Sequence, residues 1–453
     1  MGFDVKNKRV TVAGAARSGI AAAELLARRG ARVTLSETQS EAPGTEPLLA
    51  LGVDLELGGH RTETFVGADL VVLSPGVPPI QEAVQAARAR GVPVIAEIEL
   101  ASRWLQGRLI AITGTKGKST TTALTGRMLE AAGFKVAVGG NIGVPLSAQV
   151  SMSTPETLHV VETSSFQLEQ IDRFHPWIAV MLNVSPDHLD RHPDVAAYSA
   201  AKRRIFENQD AGDWAVVNAD DPAVLELARQ GRATKRLFAR ETSIAEGTIV
   251  DEGWIVDRQA DVDRRLVPLH AIHLLGAHLV TDVMAAATVG AIAGAAPAAM
   301  TAAVEAFPGL EHAMELVAEV GGVRFVNDSK ATNVESARRS IESFDRDVVP
   351  IIGGRFKGGD FRLLREPLKT RARAVVAIGE AKALVRQALG DVVPVHEAAS
   401  FEEAIERAYG IARPAGVVLL APACASFDMF RDYAERGRRF KEEVKRLSEM
   451  AHG

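Results

Sequence analysis

Through the first hundred residues, short β-branched runs alternate with alanine- and leucine-rich stretches of helical period. RVTVAG at 9–14 is followed by IAAAELLARRG at 20–30, ARVTLSE at 31–37, DLVVLSPG at 69–76, EAVQAARARG at 82–91 and VPVIAE at 92–97. Apolar runs without polar alternation are strands buried on both faces, and strand–helix–strand order makes them parallel. The pattern restarts at RLIAITGTKGKSTTTALTGRMLEAAG (108–133) and continues through LHVVETSS, WIAVMLNVS and DWAVVNADD. The neighbourhood of Gly107 reads as a hinge. A third unit follows FPGLEH (307–312), with strands VRFVNDS, DVVPIIGG, RAVVAIGE and GVVLLAPA. The expected fold is therefore α/β in three domains, each built on a mostly parallel sheet, over 1–96, 97–309 and 310–453. The first and last are Rossmann-like and the middle one resembles a P-loop ATPase.

Length agrees, because 453 residues at roughly 150 per domain make about three cores. No 20–50-residue repeat is present, which excludes a solenoid. The uncharged stretch 283–304 has the length of a membrane span, but it is mostly Ala and Gly with Gly294 and Pro297 inside it. Two packed helices of a soluble protein are expected instead. Lys+Arg number 52 against 57 Asp+Glu, a net charge of −5, so no global positive field draws nucleic acid or an anionic membrane. A phosphate site must be local. The single cysteine, Cys424, and a charged N-terminus without an apolar leader fit a reducing cytoplasm. A monomer is expected.

The strand LIAIT runs into Gly114, Thr115, Lys116, Gly117, Lys118, Ser119 and Thr120, and a helix follows. Such a loop lets backbone N–H groups approach phosphate oxygens at a helix N-terminus; Lys118 reaches the β- and γ-phosphates and Ser119 offers a hydroxyl to magnesium. Ile112 stands where the usual phosphate loop has its first glycine. Downstream, Glu162 closes one apolar run, and Asp187, His188 and Asp190 follow another, at strand ends that line the ligand crevice of an α/β sheet. The bland alternative makes Glu162 and Asp187 helix caps and His188 a packing residue. In the first domain, Gly14 to Gly19 reads G-x-A-x-x-G after a strand, Glu37 ends the next strand and Ser74-Pro75-Gly76 ends another; together they suggest a nucleotide or diphosphate ligand.

TGTKGKSTTT (113–122), ETSS (162–165), NVSPDHLD (183–190) and NADD (218–221) resemble the Mur ligase family. NDSKATN (327–333), GGRFKGGDF (353–361) and PACASFDMFRDYAERGRRF (422–440) are most similar to its D-glutamate-adding branch. The resemblance spans nearly the whole chain. It implies a step of peptidoglycan synthesis in which ATP, with Mg2+, activates the carboxylate of UDP-N-acetylmuramoyl-L-alanine as an acyl phosphate that the amine of D-glutamate then attacks. By the same resemblance, residues 114–120 and Asp328 bind ATP, and Ser119, Glu162, His188 and a carbamylated Lys202 hold the metal ions. Ser18, Glu37, Thr38 and Ser74 form the uridine-diphosphate pocket, while Asn141 and Ser164 touch the muramoyl part. Lys330, Thr332, Lys357, Ser426 and Phe430 bind D-glutamate.

The pattern breaks at Leu279 and Asp282, where the family has asparagines, and at Ala313, where it has a phosphate-binding arginine. These changes fall on the nucleotide, and Arg338, Arg339 or Arg355 is a candidate replacement cation. A ligase for another amino acid and a non-catalytic nucleotide-sugar-binding paralogue are the competing readings.

Overall fold

The computed structural model describes residues 3–188, 191–260, 262–273 and 277–452. Asp190 and Gly276 lie outside the described residues. The chain forms two compact units, residues 1–272 with 281–306, and residues 273–280 with 307–453.

The first unit holds two sheets. One contains β1 (Arg9–Ala13), β2 (Arg32–Ser36), β3 (Asp54–Glu56), β4 (Leu70–Leu73) and β5 (Val94–Ala96) in the order β3-β2-β1-β4-β5, every pair parallel. The helix Arg17–Arg28 packs Ala22, Ala23 and Leu26 onto it, at helical spacing. Strand order reverses between β1 and β4, which opens a ligand crevice at their carboxyl ends.

The other sheet has nine strands: β6 (Arg108–Thr113), β7 (Lys135–Gly140), β8 (Thr157–Glu162), β9 (Ile178–Met181), β10 (Trp214–Asn218), β11 (Thr234–Ala239), β12 (Gly247–Asp251), β13 (Trp254–Gln259) and β14 (Val262–Pro268). Their order is β14-β13-β12-β11-β10-β9-β6-β8-β7. The last two pairings, β12 with β13 and β13 with β14, are antiparallel and extend the parallel sheet at one edge. The apolar stretch 283–304 lies in the helices Ala277–Ala293 and Pro297–Glu305, and among the described residues no helix is long and apolar enough to cross a membrane. Gly107, where the sequence reads as a hinge, is closely packed. Its N–H donates to Ser153 Oγ (3.2 Å), a Cβ there would stand 2.0 Å from the Thr157 carbonyl oxygen, and both sheets belong to one compact unit.

The second unit is built on β15 (Glu315–Val320), β16 (Val323–Asn327), β17 (Val348–Gly353), β18 (Val375–Ile378), β19 (Val395–Glu397) and β20 (Val417–Leu420), ordered β15-β16-β20-β17-β18-β19. Only the β15–β16 hairpin is antiparallel. Its central strands are buried on both faces, Val417 to Leu420 and Val348 to Ile352 among them, as their uninterrupted apolar runs require.

Candidate active site

The turn after β1 explains its two glycines. A Cβ on Gly19 would stand 1.7 Å from the Gly14 carbonyl oxygen and 2.7 Å from Ser74 Oγ, so only glycine lets the helix start approach the β1 and β4 turns. Ser74 Oγ donates to Gly14 O (3.0 Å), and Ser18 occupies the first turn of that helix. Glu37 accepts N–H bonds from Ala15 (2.7 Å), Thr38 (2.7 Å) and Gln39 (3.2 Å), and the Thr38 hydroxyl at 2.9 Å. Burial opposes its ionisation, yet these donors hold the carboxyl below its ordinary range. The four residues expected to form a uridine-diphosphate pocket thus share the carboxyl ends of β1, β2 and β4.

In the nine-stranded sheet the groups of interest follow the four adjacent strands β9-β6-β8-β7. Gly117 caps the helix Lys118–Ala131 with φ of 81°, a left-handed conformation that suits glycine, and no side chain caps that helix. Asn183, after β9, pins the loop: its Oδ1 accepts from the Thr115 and Lys116 amides at 3.1 and 2.9 Å, and its Nδ2 donates to Lys116 O at 3.1 Å. Ser119 Oγ donates to Glu162 Oε2 (2.6 Å), and Asn141 Nδ2 donates to Glu162 Oε1 (2.8 Å). One buried carboxylate therefore joins the phosphate loop to the loop after β7. Thr120 sits in the helix's first turn, and Ser164 caps the helix Ser165–Leu168 in a reciprocal capping box with Gln167.

Two lysines converge on carbonyl oxygens of this loop. Lys118 Nζ donates to Thr115 O at 3.0 Å and Lys202 Nζ to Gly114 O at 2.8 Å. Lys202 is 1% exposed, so it is not a solvated surface lysine. Burial, then the charge of Lys118, pushes its pKa well below the ordinary lysine value against the pull of Asp187 and Glu162. Tyr198 lies under the Lys202 ammonium, 4.7 Å from ring centroid to Nζ, and its hydroxyl meets Thr115 Oγ1 at 3.1 Å. The His188 ring lies 6.5 Å from that of Tyr198 and packs edge-on to Phe166 at 5.0 Å; Lys116 Nζ stands 3.9 Å from Asp187 Oδ2. Asp282 faces the loop: a Cβ on Gly117 would stand 2.2 Å from its Oδ1. Leu279 and Asp282 are both buried.

In the second unit, the expected D-glutamate residues follow the carboxyl ends of the adjacent strands β16, β20 and β17. Lys330 and Thr332 lie after β16, Ser426 and Phe430 after β20, and the exposed Lys357 after β17. Backbone bonds lace these loops, from Ala423 N to Ala331 O (2.9 Å) and between Arg355 and Ala425 (2.9 and 3.0 Å). Arg436, 1% exposed, adds donations to Ser329 Oγ (3.0 Å), Ser329 O (2.9 Å) and Cys424 O (3.2 Å). Burial pushes it down to about 10, against the opposing influence of Cys424 and Asp428. Asp328 accepts from Met314 N (3.2 Å) and from the Ser340 hydroxyl. Ala313 sits in a short bridge with Leu310, and the candidate replacement cations are ion-paired: Arg355 with Glu380 (3.0 Å), Arg338 and Arg339 with Glu335 (3.2 and 3.4 Å).

Asn183, Tyr198 and Arg436 were not singled out from the sequence. Asn183 carried one usable signal, its position immediately beyond the apolar run of β9.

Strand, phosphate loop and helix in register, with a carboxylate on the loop serine, define a phosphate-loop α/β protein. The chain belongs to the Mur ligase family: the Mur ligase middle domain matches residues 112–290, the MurD-like N-terminal domain of Mur ligases matches 8–96, and the Mur ligase glutamate ligase domain matches 312–424. Among its relatives, the UDP-N-acetylmuramoylalanine–D-glutamate ligase of Koribacter versatilis is 45% identical over 99% of both chains. The ligase of the same name from Acidobacterium capsulatum is 46% identical over 98% of this chain and 97% of its own. In fold, the chain is similar to the UDP-N-acetylmuramate-alanine ligase MurC of Thermotoga maritima (TM-score 0.61, 18% identity, 97% of this chain and 99% of that one). It is equally similar to the MurF ligase of the same organism in complex with ADP (TM-score 0.61, 16% identity, 98% and 96%).

Proposed function

We propose that this chain joins D-glutamate to UDP-N-acetylmuramoyl-L-alanine at the expense of ATP, in peptidoglycan synthesis, as a cytoplasmic monomer with domains 1–96, 97–309 and 310–453. The observation that carries the reading is the cluster of Lys118, Ser119, Glu162 and Lys202 around one phosphate loop. A carboxylate is a poor acyl donor. An oxygen of the L-alanyl carboxylate therefore attacks the γ-phosphorus, ADP leaves, and the D-glutamate amine attacks the acyl carbon with release of phosphate. Lys118 offsets charge on the transferring phosphoryl group.

Magnesium, when bound, supplies further positive charge to the phosphates. The donor set fits a hard cation, since Ser119 Oγ, Glu162 and a carbamate on Lys202 are oxygen ligands; His188 would serve a second ion. Lys202 suits carbamylation because its lowered pKa increases the share of neutral amine, the form that adds to carbon dioxide with loss of one proton and becomes an anion. Ser18, Glu37, Thr38 and Ser74 would hold the uridine diphosphate, Asn141 and Ser164 the muramoyl part, and Asp328 the nucleotide. Lys330, Thr332, Lys357, Ser426 and Phe430 would hold D-glutamate.

The test is phosphate release by the purified chain with ATP, magnesium and UDP-N-acetylmuramoyl-L-alanine, offered D-glutamate, L-glutamate, L-alanine or diaminopimelate separately. Only D-glutamate is expected to raise release above background. Equal turnover with L-glutamate would sink the assignment.

A further inference from the structure

Arg191 belongs to the turn that carries His188: its own N–H and that of His192 both donate to the His188 carbonyl, at 3.0 and 2.9 Å. Its guanidinium lies over the Phe166 ring, 4.2 Å from the centroid. The same ring meets His188 edge-on at 5.0 Å and stacks on His192 at 5.3 Å with an interplanar angle of 13°. Phe166 is therefore a common support for the cation and for His188. From this platform Arg191 reaches the other sheet of the unit, where Nη1 donates a long bond of 3.4 Å to the carbonyl of Gly76, in the turn after β4. Nη2 is shielded from solvent and has no hydrogen-bond partner among the described residues.

A buried N–H of a cation without an acceptor is costly, so this nitrogen calls for an anionic oxygen. The location identifies which one. Gly76 follows Ser74, whose hydroxyl is bonded to Gly14 O between β1 and β4, where strand order reverses and a ligand crevice opens. Under the function proposed above, on which this step rests, the nucleotide-sugar substrate has two anionic parts. The L-alanyl carboxylate must meet the γ-phosphate beside Lys118, at the end of β6. The diphosphate remains for the β1–β4 crevice.

We propose that Arg191 anchors the diphosphate of the nucleotide-sugar substrate through Nη2, and that the Phe166 platform ties this anchoring to the seat of His188. Arg191 is then a substrate-binding residue supplied by the ATP-binding sheet to a ligand held on the neighbouring one. Losing a charge-assisted hydrogen bond of this kind weakens binding by about tenfold or more.

The experiment uses the full chain and three variants, Arg191→Met, Arg191→Lys and Arg191→Gln, each checked for folding by thermal melting. UDP binding is measured by calorimetry, alongside KM for each of the three substrates. Arg191→Met should weaken UDP binding about tenfold and raise KM for the nucleotide sugar by a similar factor, with KM for D-glutamate within about twofold of wild type. Arg191→Lys should recover part of the loss, and the difference between wild type and Arg191→Met should shrink as salt is raised. Unchanged UDP affinity in a folded Arg191→Met would overturn the proposal. A raised KM for the nucleotide sugar with unchanged UDP affinity would also overturn it, by assigning the nitrogen to the alanyl carboxylate. If Arg191→Met does not fold, Arg191→Gln is read by the same criteria. Wild-type protein that binds UDP but never turns over with D-glutamate would fail the proposed function and leave Arg191 still judged by the UDP measurement.

Discussion

Asp282 offers the sharpest perturbation, because it places a carboxylate beside the phosphate loop, at a position where the family resemblance breaks. It is 5% exposed, and its Oδ1 stands 2.2 Å from the position a Cβ on Gly117 would take. A phosphate oxygen accepting a loop N–H lies about 3 Å from the nitrogen. The carboxylate and the phosphate charge are then separated by about 5–6 Å, and at an effective dielectric constant of about 20 they repel by about 3 kcal/mol. Under the proposed function, counter-charge from Lys118 and bound magnesium, with salt, would reduce this to about 1–2 kcal/mol, or about 5- to 30-fold in affinity. Asp282→Asn keeps the size and removes the charge, so KM for ATP should fall by that factor while kcat and KM for D-glutamate hold. Initial rates at varied ATP, in low and in high salt, measure it, and the gain should be smaller in high salt. An unchanged or raised KM for ATP would refute the electrostatic reasoning and make Asp282 a residue that supports the loop.

Lys118→Ala should cost about 100-fold or more in kcat, since it removes the charge proposed to offset the transferring phosphoryl; near wild-type phosphate release would make the loop structural only. Lys202→Ala should abolish turnover, and added acetate or formate should restore part of it by supplying the missing anion; activity untouched by the substitution would remove Lys202 from the metal set. Burial raises the Glu97 carboxyl to about 7, against the Ser147 N–H and hydroxyl that pull it down, so between pH 4.5 and 7 the folded chain keeps a proton that the unfolded chain loses. Stability therefore falls with rising pH across that window by at most about 3 kcal/mol, and Glu97→Gln should raise Tm over wild type mostly at about pH 8 and little at about pH 5; an equal effect at both would contradict the assignment.

Central parallel strands such as β4, β9, β18 and β20 were legible because each is an uninterrupted apolar run that no other element explains. The antiparallel additions were not. β12 and β13 are joined at Glu252 and Gly253, with φ of 43° and 80°, and β15 and β16 at Gly321 and Gly322, with φ of 57° and 80°. Both are two-residue hairpin turns whose glycines announce them, but the flanking strands carry mixed faces, ELVAEV and TIVD, that give no clean period. The site shows the same division. Ser119, Lys118 and Glu162 could be read from their places beside strand ends. Asn183 could not be given its role, because the Thr115 amide that it pins is 68 residues away in sequence. Tyr198 and Arg191 are likewise defined by what folds against them, a hydroxyl 83 residues away and a carbonyl 115 residues away.

The two loop lysines cannot be treated as independent parts. Lys118 and Lys202 bond to adjacent carbonyls, Thr115 O and Gly114 O, and after burial the charge of Lys118 is the largest influence lowering Lys202. Only the neutral amine adds carbon dioxide, so the cation proposed to serve the phosphate would also favour the form of Lys202 able to become an anion. Removing Lys118 has two expected consequences, a direct loss of phosphoryl stabilisation and a rise in the pH needed to carbamylate Lys202. Carbon NMR with labelled bicarbonate reads the second without any turnover: the carbamate signal of Lys118→Met should appear at higher pH than that of wild type. If both proteins carbamylate over the same pH range, burial alone sets the state of Lys202 and the coupling between the two lysines does not exist.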